Sequence, residues 1–277
     1  MSNQSISVLK QSLIDTTLGH WTLAARDKLE LLRAAWSDPH VVGTIANDQM
    51  AAWLVGCLCQ RDKVFVDVGA HIGSVIADVR RRSKPSRIVA VEAIPSKAEA
   101  MRRKFPDVEI AACAVGDTEG GQVPFFVDVQ RPGYSSLGRS TEPNAELVEI
   151  RVPMRTLDGV LAGADVDTIK IDIEGAELGA LRGANKVMRR CRPIVMFESA
   201  PSAGERLGYS PAALWQHFEG LDYAIVAPNR LAHNDDGMML DAFVDSHAYP
   251  RRTTNYFGIA RERRIEVRDR ARALLAS

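Results

Sequence analysis

The residues with the clearest chemical meaning lie in VFVDVGAHIGS, residues 64–74. An apolar run leads into Asp67, and Gly69 and Gly73 then mark a turn that opens a helix. Ligands of α/β sheets bind beyond the carboxyl ends of the strands, and glycine lets the backbone approach them closely. A carboxylate in this turn repels a pyrophosphate but suits a ligand that carries an ammonium and a sulfonium. A turn that serves only chain geometry is the alternative.

Two more acidic residues end the next predicted strands. Glu92 closes VAVE, where a carboxylate can accept hydrogen bonds from a ribose diol. Asp117 follows AVG and is predicted to accept a hydrogen bond from an adenine amino group, with a plain turn aspartate as the alternative. In this order, the glycine turn and the two acids indicate S-adenosylmethionine rather than a nicotinamide cofactor.

A cluster of ionisable side chains follows in DTIKIDIEGAELGALRGA. Alternation along a strand places Lys170, Asp172 and Glu174 on one face, and Glu177 comes in the first turn of the next helix. Burial of such groups is costly unless they pair or perform chemistry. The cluster therefore predicts a catalytic site, with an ion pair between Lys170 and a carboxylate as the structural alternative.

Methyl transfer from such a ligand to a protonated acceptor atom needs a group that takes the acceptor's proton. The candidate bases, in order of preference, are Asp172, Glu174, Glu198 and His71. The same carboxylates are also the oxygen ligands that magnesium prefers. Magnesium is not favoured, because the charge of Lys170 already offsets one carboxylate, and no metal ligand is assigned.

The segments that carry these residues resemble the FkbM family of methyltransferases. The matching stretches span residues 64–199 and are VDVGAHIGS, IVAVEAIPSKAEAMRRKF, IAACAVGD, YSSL, VPMRTLDGVL, IKIDIEGAELGALRGA and RPIVMFES. The resemblance implies a class I methyltransferase with a Rossmann-like fold. It also implies an O-methyltransferase that acts on a hydroxyl of a sugar, a glycoside or another natural product.

Carried onto this chain, the resemblance implies a set of donor-binding positions. They are Asp67, Gly69, Ala70, His71, Gly73, Glu92, Ala93, Asp117, Ser135 and Ser136. Two of these depart from the family pattern: His71 stands where many relatives carry Asn, and Ala93 stands where a proline commonly follows the acidic residue. The resemblance also places Lys170, Asp172, Glu174, Glu177 and Glu198 in the later motifs.

Short apolar strands alternate with helices from residue 63 onward, which predicts an α/β, doubly wound and mostly parallel sheet. The predicted strands are 63–68, 87–91, 109–115, 169–173, 193–197, 223–226 and 255–260, the last two as an antiparallel edge pair. The predicted helices are 74–82, 97–105, 176–188 and 211–219. Residues 1–60 are predicted to form a helical cap, and residues 61–277 the methyltransferase domain.

Composition narrows the classes of partner. Lysine plus arginine equals aspartate plus glutamate, 35 against 35, so no basic face for a nucleic acid is expected. No basic start followed by an apolar run, and no stretch of about 18 apolar residues, is visible. With four scattered cysteines expected to be free thiols, these features predict a cytoplasmic protein without a membrane segment.

The expected partner is a small-molecule or glycan acceptor, and Trp21, Trp36 and Trp53 suit an interface between copies of the chain. The arginine-rich run at 261–272 is interpreted as a solvated helix, with a phosphate or partner site as the alternative. Two other functions stay open. One is a catalytically silent donor-binding subunit, and the other is a nicotinamide-dependent oxidoreductase.

Overall fold

Two β-sheets form the centre of residues 17–140, 145–200 and 204–276, the part of the chain that the computed structural model describes. Within this part the strands are β1 (Val64–Val68), β2 (Arg87–Val91), β3 (Glu109–Ala111), β4 (Ala114–Val115), β5 (Gln122–Asp128), β6 (Leu147–Arg155), β7 (Val166–Ile171), β8 (Ile194–Glu198), β9 (Tyr223–Val226) and β10 (Asn255–Ala260). The side chains of residues 17–24, including Trp21, lie outside the described part.

The larger sheet has the order β3-β2-β1-β7-β8-β10-β9. All neighbours are parallel except β10, which is antiparallel to both β8 and β9. The predicted doubly wound, mostly parallel sheet with an antiparallel end is therefore confirmed. The chain order reverses between β1 and β7, the kind of switch point at which α/β sheets bind ligands. Their register sets Asp67 beside Lys170.

The smaller sheet has the order β4-β6-β5. The predicted strand 109–115 is wrong as a single element, because β3 ends at Ala111 and β4 leaves to pair with β6. The segment between Val115 and Ile169, for which no strand is predicted, contains the antiparallel pair of β5 and β6. Pro124 interrupts the pattern of β5, and half-exposed positions weaken that of β6, so neither strand gave a clear signal.

Helices cover both faces of the larger sheet. They are α1 (Thr17–Ser37), α2 (Val42–Leu58), α3 (Ser74–Arg82), α4 (Pro95–Lys104), α5 (Leu157–Val160), α6 (Glu177–Arg182), α7 (Asn185–Cys191), α8 (Pro211–Glu219), α9 (Leu240–Asp245) and α10 (Arg264–Leu275). The single predicted helix 176–188 is two helices. At Gly183, between them, a side-chain Cβ would collide with the carbonyl oxygen of Gly116.

The predicted N-terminal cap contains α1 and α2, of which α2 packs on the larger sheet. In α2, the buried Ala51, Leu54 and Val55 share a core cluster with Phe65 of β1. The stretch Pro39–Leu58 is long and apolar enough to cross a membrane by length and composition alone, with a mean hydropathy of 1.2. A helix that packs on a sheet meets the same criteria. The boundary at residue 60 stays a prediction.

The arginine-rich C-terminal run is not simply a solvated helix. Arg264 is buried and donates to the carbonyl oxygens of Leu231, His233 and Asp235. Other arginines of this run, Arg263 and Arg270, contact a buried aspartate at the start of β7. These guanidinium groups therefore bind the protein itself, Arg264 through carbonyl oxygens of the loop before α9 and the other two through Asp167.

Candidate functional site

A cavity that opens to solvent lies at the carboxyl ends of β1, β2, β4 and β7. Seven of the predicted site residues line it: Gly69, His71, Glu92, Ala93, Ser135, Asp172 and Glu174. The sequence did not identify several other residues in its wall, among them Lys97, Cys113, Ala114, Val115 and Phe125.

The glycine turn after β1 brings the backbone close to the strand end of β7. Gly69 has φ of 79°, and a Cβ there would collide with the carbonyl oxygen of Asp172. Gly73 also has φ of 79°, and its Cβ would collide with the ring of Phe105. Gly69 lines the cavity, whereas Gly73 and the buried Ala70 lie outside its wall. Both glycines are therefore required by packing, and Gly69 also gives a ligand access to the backbone.

Lys170 connects the two aspartates that the sequence singled out. Its Nζ lies 3.3 Å from Oδ1 of Asp67 and 3.3 Å from Oδ2 of Asp172. Burial by itself lowers the pKa of Lys170, but the two carboxylates outweigh it and raise that pKa. Burial raises the pKa of Asp67, and Lys170 opposes the shift. Asp67 is fully buried and lies outside the cavity wall, with Lys170 as its ion-pair partner.

Glu92 is fixed by the backbone. Its Oε2 accepts from the N–H of His71 and its Oε1 from the N–H of Ile94, both at 2.9 Å. Burial raises the pKa of Glu92, and the nearby Lys97 ammonium and these two N–H groups oppose that shift. Each carboxylate oxygen keeps a second lone pair, so the oriented group can still accept two hydrogen bonds from a diol.

His71 occupies an unusual backbone position in the turn. Its φ is 53°, and its Nε2 is buried without a hydrogen-bond partner among the described residues. Burial, followed by the charges of Lys97 and Lys170, lowers its pKa to about 4. The imidazole is therefore neutral at neutral pH, and it lines the cavity.

Three carboxylates form a cluster beside this cavity. Oxygen atoms of Asp172, Glu174 and Glu198 all lie within 4.8 Å of one another. Burial, with the charges of Asp172 and Glu177, raises the pKa of Glu174 to about 7. Burial and the charge of Asp172 raise the pKa of Glu198 well above its usual range. Burial and crowding therefore favour the protonated forms of Glu174 and Glu198.

Glu177 stabilises the turn after β7, which carries Asp172 and Glu174. Its Oε1 accepts from the N–H groups of Ile173 at 3.0 Å and Gly175 at 3.2 Å. Glu174 has a left-handed φ of 57°, and β7 ends at Ile171. The predicted strand 169–173 therefore ends earlier, and the turn, rather than strand alternation, brings Glu174 to the cavity.

The remaining predicted donor residues are placed as follows. Ser135 lines the cavity, and its Oγ accepts from the N–H of Asp128 at 3.2 Å. Ser136 is buried, and its Oγ donates to the carbonyl oxygen of Gly138 at 2.8 Å. Asp117 is exposed and lies outside the cavity wall. Its assignment to the adenine amino group stays a prediction that this placement does not favour.

The carboxylate cluster offers the oxygen atoms that a hard cation prefers. One of its members, Asp172, already has the ammonium of Lys170 at 3.3 Å. This ion pair is the charge compensation because of which magnesium is not favoured in the sequence analysis. Binding of magnesium stays untested.

Comparison with known proteins identifies the family. The chain matches the methyltransferase FkbM domain over residues 67–225, more than half of its length. A curated relative, "Methyltransferase 1" of Beauveria bassiana (strain ARSEF 2860), is 25% identical over 184 residues, with 54% of this chain and 74% of the relative covered.

Two solved structures are also similar. Methyltransferase FkbM from Methylobacillus flagellatus KT is 18% identical, with 73% of this chain and 44% of that chain covered and a TM-score of 0.46. This chain thus spans less than half of that protein. A TehB-like SAM-dependent methyltransferase from Corynebacterium glutamicum is 11% identical, with 88% and 97% covered and a TM-score of 0.41. By the match over residues 67–225, this chain belongs to the FkbM methyltransferase domain family.

Proposed function

We propose that this methyltransferase is an S-adenosylmethionine-dependent O-methyltransferase acting on a hydroxyl of a sugar, a glycoside or another natural-product small molecule. The observation that carries the proposal is the carboxylate cluster of Asp172, Glu174 and Glu198 beside a cavity whose other wall holds Glu92. In this proposal, Glu92 on one wall binds the ribose diol of the donor, and the carboxylate cluster on the other wall accepts the proton of the acceptor hydroxyl.

The cavity fits the donor chemically. Glu92 has lone pairs for the ribose hydroxyls, Gly69 opens the backbone, and Val115 and Phe125 supply apolar surface for an adenine. The excess of carboxylates suits a ligand with an ammonium and a sulfonium. When bound, S-adenosylmethionine supplies an electrophilic methyl group and becomes S-adenosylhomocysteine.

Asp172 is placed to accept the hydroxyl proton. Its side chain is 40% exposed and lines the cavity, whereas Asp67 and Glu198 lie outside the wall. The acceptor oxygen forms a bond to the methyl carbon, the sulfur–carbon bond breaks, and the released proton passes to Asp172 and then to solvent. Glu174 and Glu198, which lie beside Asp172, can also accept this proton, and Lys170 keeps Asp172 in place through their ion pair.

The cytoplasmic location and the small-molecule acceptor belong to the same proposal. Among the described residues the four cysteines are free thiols, which supports a reducing compartment. We assign the methyl group to a hydroxyl oxygen because the carboxylate cluster can take the proton of a hydroxyl, which is less acidic than a carboxylic acid.

The test is methyl transfer from labelled S-adenosylmethionine to a mixture of neutral glycosides, primary amines and carboxylic acids, with products identified by mass spectrometry. We expect a methyl ether, and a large loss of product with Asp172→Asn. Products confined to N-methyl amines or methyl esters contradict O-methylation. Donor binding without any product favours the silent subunit.

A further inference from the structure

Helix α1 exposes apolar side chains in an ordered pattern. Leu29, Leu32 and Trp36 are 60%, 67% and 93% exposed. Their spacing of three and four residues places them on one side of the helix, where they form the α1 face. Among the described residues, no other helix exposes three large apolar side chains. Single exposed apolar residues are common on any protein, but an ordered row of them marks an interaction surface.

The packing of α1 does not use this face. Ala34 is buried and Asp27 and Leu31 are half-buried, and these three residues lie on the opposite side of the helix. Gln49 of α2 donates to the carbonyl oxygen of Asp27 at 2.9 Å. The fold therefore holds α1 from one side and leaves the α1 face open to a partner.

Basic side chains border the α1 face on both sides. Arg26 and Arg33 lie along one border and Lys28 along the other, and all three are exposed. The acids of this stretch lie farther away, Asp27 on the packed side and Glu30 between that side and the two arginines. Arg26 pairs with Asp27, but an exposed ion pair of this kind is weak. The partner therefore has to offer an apolar surface with negative charge along both edges.

A second copy of the chain is the alternative partner for this face. In a symmetric pairing of two α1 helices, the three basic residues of each chain would border the same seam, and like charges there oppose association. An anionic lipid bilayer supplies acyl chains for the apolar residues and phosphate groups for the basic ones. Long basic side chains can reach those phosphates from the edge of an apolar stripe, and tryptophan favours this interface.

The C-terminal end of α1 leads towards the candidate active site. Tyr249 donates from its hydroxyl to Oδ1 of Asp38, the residue after α1, at 3.3 Å. The same loop continues to Thr254, whose carbonyl oxygen accepts from the N–H of Ser199 at 2.8 Å. Ser199 directly follows Glu198 of the carboxylate cluster. One loop thus connects the end of α1 to the end of the sheet that carries the cluster.

We infer that the α1 face docks the protein on an anionic lipid bilayer. In the docked state its three apolar side chains enter the boundary between headgroups and acyl chains, and the three bordering basic residues contact lipid phosphates. The protein lies on the bilayer and does not cross it. The inference goes beyond the proposed methyl transfer, because no residue of α1 lines the donor cavity.

The experiment is co-sedimentation of the full chain with vesicles of phosphatidylcholine, either alone or with an equal share of phosphatidylglycerol, at low and high NaCl. Trp36→Ser and Arg33→Glu change the α1 face and its border. Their matched controls are Ile265→Ser, at a 65% exposed position of α10, and Arg103→Glu, on α4. Urea denaturation reports the folding of each variant, and sedimentation velocity reports the oligomeric state.

We expect the wild type to bind the anionic vesicles, less at high NaCl, and to bind phosphatidylcholine alone far more weakly. Trp36→Ser should weaken binding about 5- to 50-fold, and Arg33→Glu about 5- to 30-fold, with both controls unchanged. Failure to bind anionic vesicles, equal binding to both lipid mixtures, or wild-type binding by Trp36→Ser overturns the inference. A dimer that Trp36→Ser dissociates, without vesicle binding, assigns the face to a second copy and also overturns it.

Discussion

The two ends of strand β7 place acidic side chains in opposite circumstances. At its start, Asp167 is 4% exposed and lies 2.8 Å from Arg263 and 3.0 Å from Arg270, and it accepts from the N–H of Gln60 at 2.9 Å. At its other end, Lys170 is the only cation in ion-pairing distance of Asp67 and Asp172 among the described residues. At the start of β7, by contrast, two cations pair with one acid.

The difference separates a structural ion network from a reactive one. Buried charge is tolerated when it is fully paired, and Asp167 meets that condition. At the carboxyl end, Asp172, Glu174 and Glu198 crowd together with too little positive charge, so protonation takes its place. Packing alone does not explain this excess of carboxylates beyond the carboxyl end of β7.

The sharpest test of the comparison is Asp172→Asn. Loss of the proton acceptor should reduce kcat about 10²- to 10⁴-fold, while the Kd for the donor stays within about twofold because Asp172 is not assigned to donor binding. Steady-state kinetics and calorimetry measure the two quantities. Unchanged turnover removes Asp172 from the role of base.

At the other end of β7, Asp167→Asn should affect stability alone. It removes the buried carboxylate that Arg263 and Arg270 share and leaves each guanidinium group its contact with the more exposed Glu266, so the free energy of unfolding should fall by about 1–3 kcal/mol. Asp165→Asn is the matched control, since that exposed acid pairs with Lys63 at 2.5 Å and should cost less than about 1 kcal/mol. Urea denaturation measures both, and a large loss of donor affinity in the folded Asp167→Asn variant would contradict the division.

Glu177 gives the comparison a pH dependence. Burial raises its pKa from the ordinary 4.5 to about 7, so between these values the folded chain binds more protons than the unfolded chain. Its contribution to stability is therefore present below pH 4.5 and is lost as pH rises through about 7. Relative to Glu177→Gln, the wild type should lose about 1–3 kcal/mol over this window.

The control for that experiment is Glu99→Gln, which replaces an exposed acid of α4 and should change the free energy of unfolding little. In Glu177→Gln, the new side-chain amide oxygen retains the acceptor for the N–H groups of Ile173 and Gly175. A pH-independent difference for Glu177→Gln would mean that Glu177 is already ionised in the fold.

The smallest expected effect concerns Glu92. Glu92→Ala removes the acceptor of the proposed ribose contacts and frees two backbone N–H groups, so the Kd for the donor should rise about 10- to 100-fold. Glu92→Gln keeps one oxygen acceptor and should fall between the wild type and the alanine variant. Calorimetry measures both, and wild-type affinity in Glu92→Ala would show that this carboxylate does not touch the donor.

The sequence predicted the larger sheet well, because its strands are short apolar runs with acids or glycines at their carboxyl ends. The ion pair between Lys170 and a carboxylate, which the sequence left open as the structural alternative to catalysis, is present in the fold. The sequence missed β5 and β6, whose half-exposed patterns are weak, and with them the cavity residue Phe125.

Other site residues could not have been found from local patterns. The break between β3 and β4 leaves Asp117 on the surface, and that break depends on pairing with the distant β6. Lys97 reads as an ordinary helix lysine, and only the fold turns it toward Glu92.

The central claim is that the cavity between Glu92 and the carboxylate cluster binds an adenosyl donor. Isothermal titration of the wild-type chain with S-adenosylhomocysteine tests it most directly. We predict one saturable site per chain, with affinity weakened in Glu92→Ala and kept in Asp172→Asn. Absence of heat together with absence of thermal stabilisation by this compound would contradict the claim.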